Sequence, residues 1–83
     1  MNMVACHLYD NIEIACLYHF PVKLSLRDGD EKHGEALDTA FNEDREECLS
    51  LKTERGERMV VLDDITRMEV LVDNPHFMVL DFV

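Results

Sequence analysis

The chain changes its hydrophobic period once, at Pro21, and the change separates a short helical start from a longer strand-forming remainder. Before Pro21 the signals are helical. Asp10 is a favourable N-cap, Glu13 stands three residues on to close a capping box, and Tyr9 and Ile14 fall at the two positions of a hydrophobic staple. Ile14, Leu17 and Tyr18 share one side at helical spacing, with Ala15 and Cys16 beside them. The pattern predicts a helix over residues 10–19, closed by the proline.

After Pro21 apolar residues recur every second position. Val22, Leu24 and Leu26 alternate with Lys23, Ser25 and Arg27, and Asp28-Gly29 follows as a hairpin turn. Residues 32–42 read as one long bent strand with Leu37, Thr39 and Phe41 on one face, and Gly34 is the residue that permits the bend. Leu49 and Leu51 mark a strand over 46–53, and Glu54-Arg55-Gly56-Glu57 a second tight turn. Two further strands, 57–62 and 65–72, flank Asp63-Asp64, and the second places Met68, Val70 and Val72 on one face. Asp73-Asn74-Pro75 breaks the pattern before a terminal strand over 77–82 that covers an exposed edge. The expected fold is mainly β: a small barrel or sandwich of five to six antiparallel strands, preceded by one N-terminal α-helix.

Length and composition narrow this further. Eighty-three residues are too few for a second core, so residues 1–83 are expected to form a single domain, and 47% hydrophobic with 31% charged residues lies in the globular range. The longest uncharged run, residues 14–22, is far shorter than a membrane span and includes His19 and Pro21. The N-terminus lacks the basic and apolar regions of a secretory signal, so the expected location is the cytoplasm. Cys6, Cys16 and Cys48 are an odd set at wide spacing and read as free thiols.

Charge is the strongest compositional signal. Eighteen Asp and Glu against eight Lys and Arg give a formal net charge of −10. Such a field repels phosphate backbones and anionic lipid and favours encounters with basic proteins, so neither direct nucleic-acid binding nor membrane binding is expected. Acidity also simply keeps a small domain in solution.

Chemistry is harder to find. No Gly-rich loop or nucleophile elbow accompanies Cys16 and His19, so an enzyme is not expected. Cys6, His7, Cys16 and His19 supply metal-ligand types, yet Cys-x9-Cys-x2-His is not a recurrent zinc spacing, and neither a metal nor another cofactor is expected. The acid pairs Asp28/Asp30, Glu46/Glu47 and Asp63/Asp64 fall in turns and lack the order of a calcium loop. Asp10 and Glu13 stand apart, because a capping carboxylate keeps an oxygen for a partner's Arg or Lys.

The segment Cys6-His7-Leu8-Tyr9-Asp10-Asn11-Ile12-Glu13-Ile14-Ala15-Cys16, with His19 following, resembles the N-terminal signature of the Rho-binding antiterminators, the Rof family. The likeness continues through Leu24-Ser25-Leu26-Arg27-Asp28-Gly29 and, more weakly, Leu62-Asp63-Asp64-Ile65-Thr66. It implies an Sm-like barrel that binds the OB-fold region of termination factor Rho, where RNA is first captured, and so inhibits termination. It also implies a partner-binding site at Tyr9, Asp10 and Glu13, with Cys6, His7 and Asn11 beside them. The free protein is expected to be monomeric. An alternative, an Sm-like RNA-binding ring subunit, rests on the Val22-to-Gly29 strand and turn followed by Gly34 and Phe41-Asn42. Asp63-Asp64 opposes it, standing where that motif places a basic residue.

Overall fold

A computed structural model describes the backbone of residues 6–82 and the side chains of residues 8–82. One helix, α1 (Cys6–Leu17), precedes six strands: β1 (Pro21–Leu26), β2 (Glu31–Phe41), β3 (Glu47–Thr53), β4 (Gly56–Val61), β5 (Ile65–Val70) and β6 (Val79–Asp81). The strands pair antiparallel in one sheet of order β4-β3-β2-β1-β5-β6, whose two edges are not joined. The helix-then-strands order and the mainly β class are those the period change predicts.

β2 organises the sheet. Its first half, Glu31 to Glu35, pairs with β1, and Glu35 to Phe41 pairs with β3, so the change of partner falls beside Gly34. A Cβ at Gly34 would lie 2.6 Å from the Lys52 carbonyl oxygen, and this close approach of two backbones is why the position requires glycine. Residues from β1, β3 and β5, including Leu24, Leu49, Leu51 and Met68, then meet in one buried cluster. Such a meeting needs a strongly curled sheet. Leu8, Ile12 and Ala15 of α1 close the cluster on one side.

The turns behave as their chemistry dictates. Gly29, at φ +90°, donates its N–H to Leu26 O at 3.0 Å and closes the β1–β2 hairpin. Between β2 and β3, Asn42 Oδ1 accepts from the N–H groups of Asp44 and Glu46, while Arg45 sits in the left-handed region at φ +62°. Leu62–Asp64 forms a single 3-10 turn where the acid pair interrupts the apolar run. β6 pairs with β5, and an exposed Arg67–Asp81 ion pair at 2.8 Å spans the two.

Four sequence expectations are corrected. The helix does not begin at Asp10: it runs through Cys6, so Asp10 and Glu13 lie in its interior and form neither a cap nor a capping box with its first turn, and Tyr9 and Ile14 are no staple. Its buried face is Leu8, Ile12 and Ala15, whereas Leu17 is 71% exposed and Tyr18 is exposed as well. Burial of Leu8 against the sheet draws the turn before Asp10 into the helix, and tertiary contact overrides the local cap signal.

Second, the helix ends by a Schellman closure: Phe20 N–H bonds Ala15 O at 2.9 Å and His19 N–H bonds Cys16 O at 3.2 Å, with His19 left-handed at φ +52°. The helix therefore stops at Leu17, two residues short of the expected end. Third, Ala36 is the buried residue of β2; Leu37 is the extra residue of a bulge, and Phe41 is 68% exposed at the strand end. Fourth, Val72 lies beyond β5 and is exposed, because the strand ends at Val70.

Two substitutions test this account. Gly34→Ala should lower unfolding free energy by about 2–3 kcal/mol, since neither backbone yields easily to a Cβ. Arg45→Gly should raise it by about 0.5–1 kcal/mol by relieving a left-handed side-chain clash. Urea unfolding of both variants beside the parent measures each change.

Candidate protein-docking face on the helix

Because Leu8, Ile12 and Ala15 turn inward, the helical repeat turns Asp10, Glu13 and Leu17 outward. Asp10 and Glu13 are both exposed, one turn apart, and α1 contains no Lys or Arg. The two carboxylates therefore form an uncompensated negative stripe ending at an exposed leucine. Tyr9 is different. Half-buried, it donates its phenol O–H to the Glu47 carboxylate at the start of β3, so it anchors the helix to the sheet. Asn11 is also half-buried. Cys6 and His7 belong to the first turn, and their side chains lie outside the described residues.

A groove of about 460 Å³ runs between α1 and β2, lined by Glu13, Cys16, Leu17, His19 and Asp38 among others. Asp38 thus adds a third carboxylate beside the helix stripe. Sequence reading did not find it: it lies 25 residues from Glu13, and only the bulge at Leu37 and the packing of α1 on β2 bring the two together. Glu47 was missed as a partner of Tyr9 for the same reason.

The groove is not arranged for nucleophilic chemistry. Burial pushes the Cys16 thiol up to about 11, and the negative charges of Asp38 and Glu13 push the same way. A neutral thiol at physiological pH is a poor nucleophile. His19 Nδ1 lies 3.1 Å from Ala36 O, so one ring nitrogen is occupied by the backbone. Buried Cys48 is likewise raised, first by desolvation and then by Glu46, and its Sγ donates to Glu46 O at 3.4 Å. Cys16 and Cys48 are free thiols. Among the described residues no three His, Cys, Asp or Glu side chains converge as metal ligands, and no helix is long and apolar enough to cross a membrane.

Known proteins resemble most of this chain. A family described as "Modulator of Rho-dependent transcription termination (ROF)" matches residues 3–82. Among solved structures, YaeO bound to magnesium, from Vibrio cholerae O395, is 41% identical, with a TM-score of 0.86 over 90% of this chain and 97% of its own. No curated protein matches.

Alkylation by iodoacetamide should reflect the protected thiol. Peptide mapping of the folded protein should show Cys16 nearly unmodified at pH 8, with its rate rising toward a midpoint near pH 11, and rapid modification at pH 8 would contradict the geometry.

Proposed function

The chain belongs to the ROF family of modulators of Rho-dependent transcription termination, and from that membership we propose that it docks α1 on the primary RNA-binding OB-fold region of Rho and inhibits termination by blocking RNA loading. The observation that carries this reading is the outward stripe of Asp10 and Glu13, with Asp38 beside it across the groove. Single-strand RNA sites hold the backbone with Lys and Arg side chains. Exposed carboxylates at helical spacing, on a chain of net charge −10, compete for the same cations. No chemistry is required of the inhibitor, because occupation of the site is enough.

Tyr9 supports the site as a strut: its bond to Glu47 holds the stripe at a set angle to the sheet. Asn11 flanks the stripe, and Cys6 and His7, in the first turn of α1, complete the proposed contact set. The alternative of an RNA-binding ring subunit is disfavoured by Asp63 and Asp64, both exposed on the turn before β5. In this reading the free protein is a cytoplasmic monomer that binds no RNA by itself.

The double charge reversal Asp10→Lys/Glu13→Lys tests the proposal. Neither residue caps the helix start or is buried, so circular dichroism should be unchanged while affinity for Rho, measured by calorimetry, falls by at least about tenfold. Parent affinity should also weaken as salt rises, because exposed pairs are screened over about 8–10 Å. Normal Rho binding by the folded variant would remove the helix stripe as the docking face.

A further inference from the structure

The basic residues of this acidic chain are unevenly placed. A groove of about 950 Å³ lies between the first half of β2, Glu31 to Glu35, and the β3–β4 hairpin, with Gly34 in its wall. Four of the eight Lys and Arg residues, Lys32, Lys52, Arg55 and Arg58, line it together with His33, against three of the eighteen acids. Elsewhere four Lys and Arg face fifteen acids. The charge balance reverses in this one place.

Ion pairing sharpens the contrast. Of the three acids, Glu31 is held by Lys23 at 3.4 Å, leaving Glu35 and Glu54. Lys32 pairs with Asp30 at 3.6 Å. Lys52, Arg55 and Arg58 have no carboxylate partner among the described residues, and Arg58 Nη1 donates only to the Glu57 carbonyl, at 2.9 Å. Keeping three cations unpaired beside one another is unusual in a molecule with so many acids to offer.

We propose that this groove is a second interaction site that takes a short acidic peptide segment of a partner protein. Two observations select a peptide over RNA. The groove is lined by no Phe, Tyr or Trp to serve as a stacking platform for bases, and its apolar lining is aliphatic, Pro21 and an exposed Leu71. A long polyanion also meets the repulsion of the whole chain, whereas a short segment with a few carboxylates meets mainly the local cations. Arg55 and Arg58 supply the planar forks that carboxylates bind in pairs, and Leu71 receives an aliphatic side chain between them. The site shares no residue with the α1 stripe, so it stands independently of the proposed Rho contact.

The probe is the peptide acetyl-Glu-Leu-Glu-Glu-Leu-Glu-amide, titrated into nitrogen-15-labelled protein at low salt and followed by amide chemical shifts. Shifts confined to residues 31–35, 52–58 and 71 are expected, with an affinity at least about tenfold weaker in Arg55→Glu/Arg58→Glu, both exposed turn or edge positions. The Gln-for-Glu version of the peptide should produce no shifts. The proposal is overturned if the peptide leaves these amides unmoved, if the folded double variant binds it equally well, or if a short oligouridylate binds the groove more tightly. Loss of a concentration-dependent dimer in the variant, seen by sedimentation, would assign the groove to a second copy of the chain instead.

Discussion

Two backbones pass so closely at Gly34 that no side chain fits between them, and the rest of the molecule is arranged around that crossing. Because β2 pairs with β1 before the crossing and with β3 after it, one strand serves both halves of the sheet. The curl that follows lets β1, β3 and β5 share a core that a flat sheet of six short strands would leave open to water. Helix α1 lies over the second half of β2 and the basic groove opens beside the first. The two surfaces of functional interest are thus lined by successive stretches of a single strand, residues 31–35 and 37–39.

The acidity of the chain is compatible with this small core because none of it is buried. No polar or charged residue is buried among those described, and the buried residues are aliphatic side chains with Ala, Met, Phe and Cys48. Self-repulsion at net charge −10 is a cost to compactness, partly relieved by cross-strand pairs such as Lys23 with Glu31 and Glu69, at 3.4 and 3.9 Å. Such exposed pairs contribute little singly. Among the described residues, Asp10, Glu13 and Asp38 on the helix side have no ion-pair partner.

Membership of a family that modulates Rho-dependent termination fits a molecule whose distinguishing features are surfaces. The half-buried Cys16 thiol is kept protonated by its own surroundings, and His19 beside it faces a backbone carbonyl. What remains available to another macromolecule is shape, charge and exposed leucine.

Read alone, the chain determined the class of fold and the order of its parts. Alternation at Val22, Leu24 and Leu26 and the glycine turns at Gly29 and Gly56 are local rules, and each strand lies within a few residues of its expected place, whereas Gly34, read as a bend, is needed for the approach of the Lys52 backbone. The outward position of Asp10 and Glu13 was also legible, although for the wrong reason. A cap signal is a local preference of about 1 kcal/mol, and burial of Leu8 in the shared core outweighs it. Only the tertiary structure decided the true helix face, the bulge at Leu37, the pairing of Tyr9 with Glu47, and the gathering of Lys52, Arg55 and Arg58 beside His33. Each depends on contacts between residues far apart in the chain, and no period read along a sequence reports which distant strand a residue will meet.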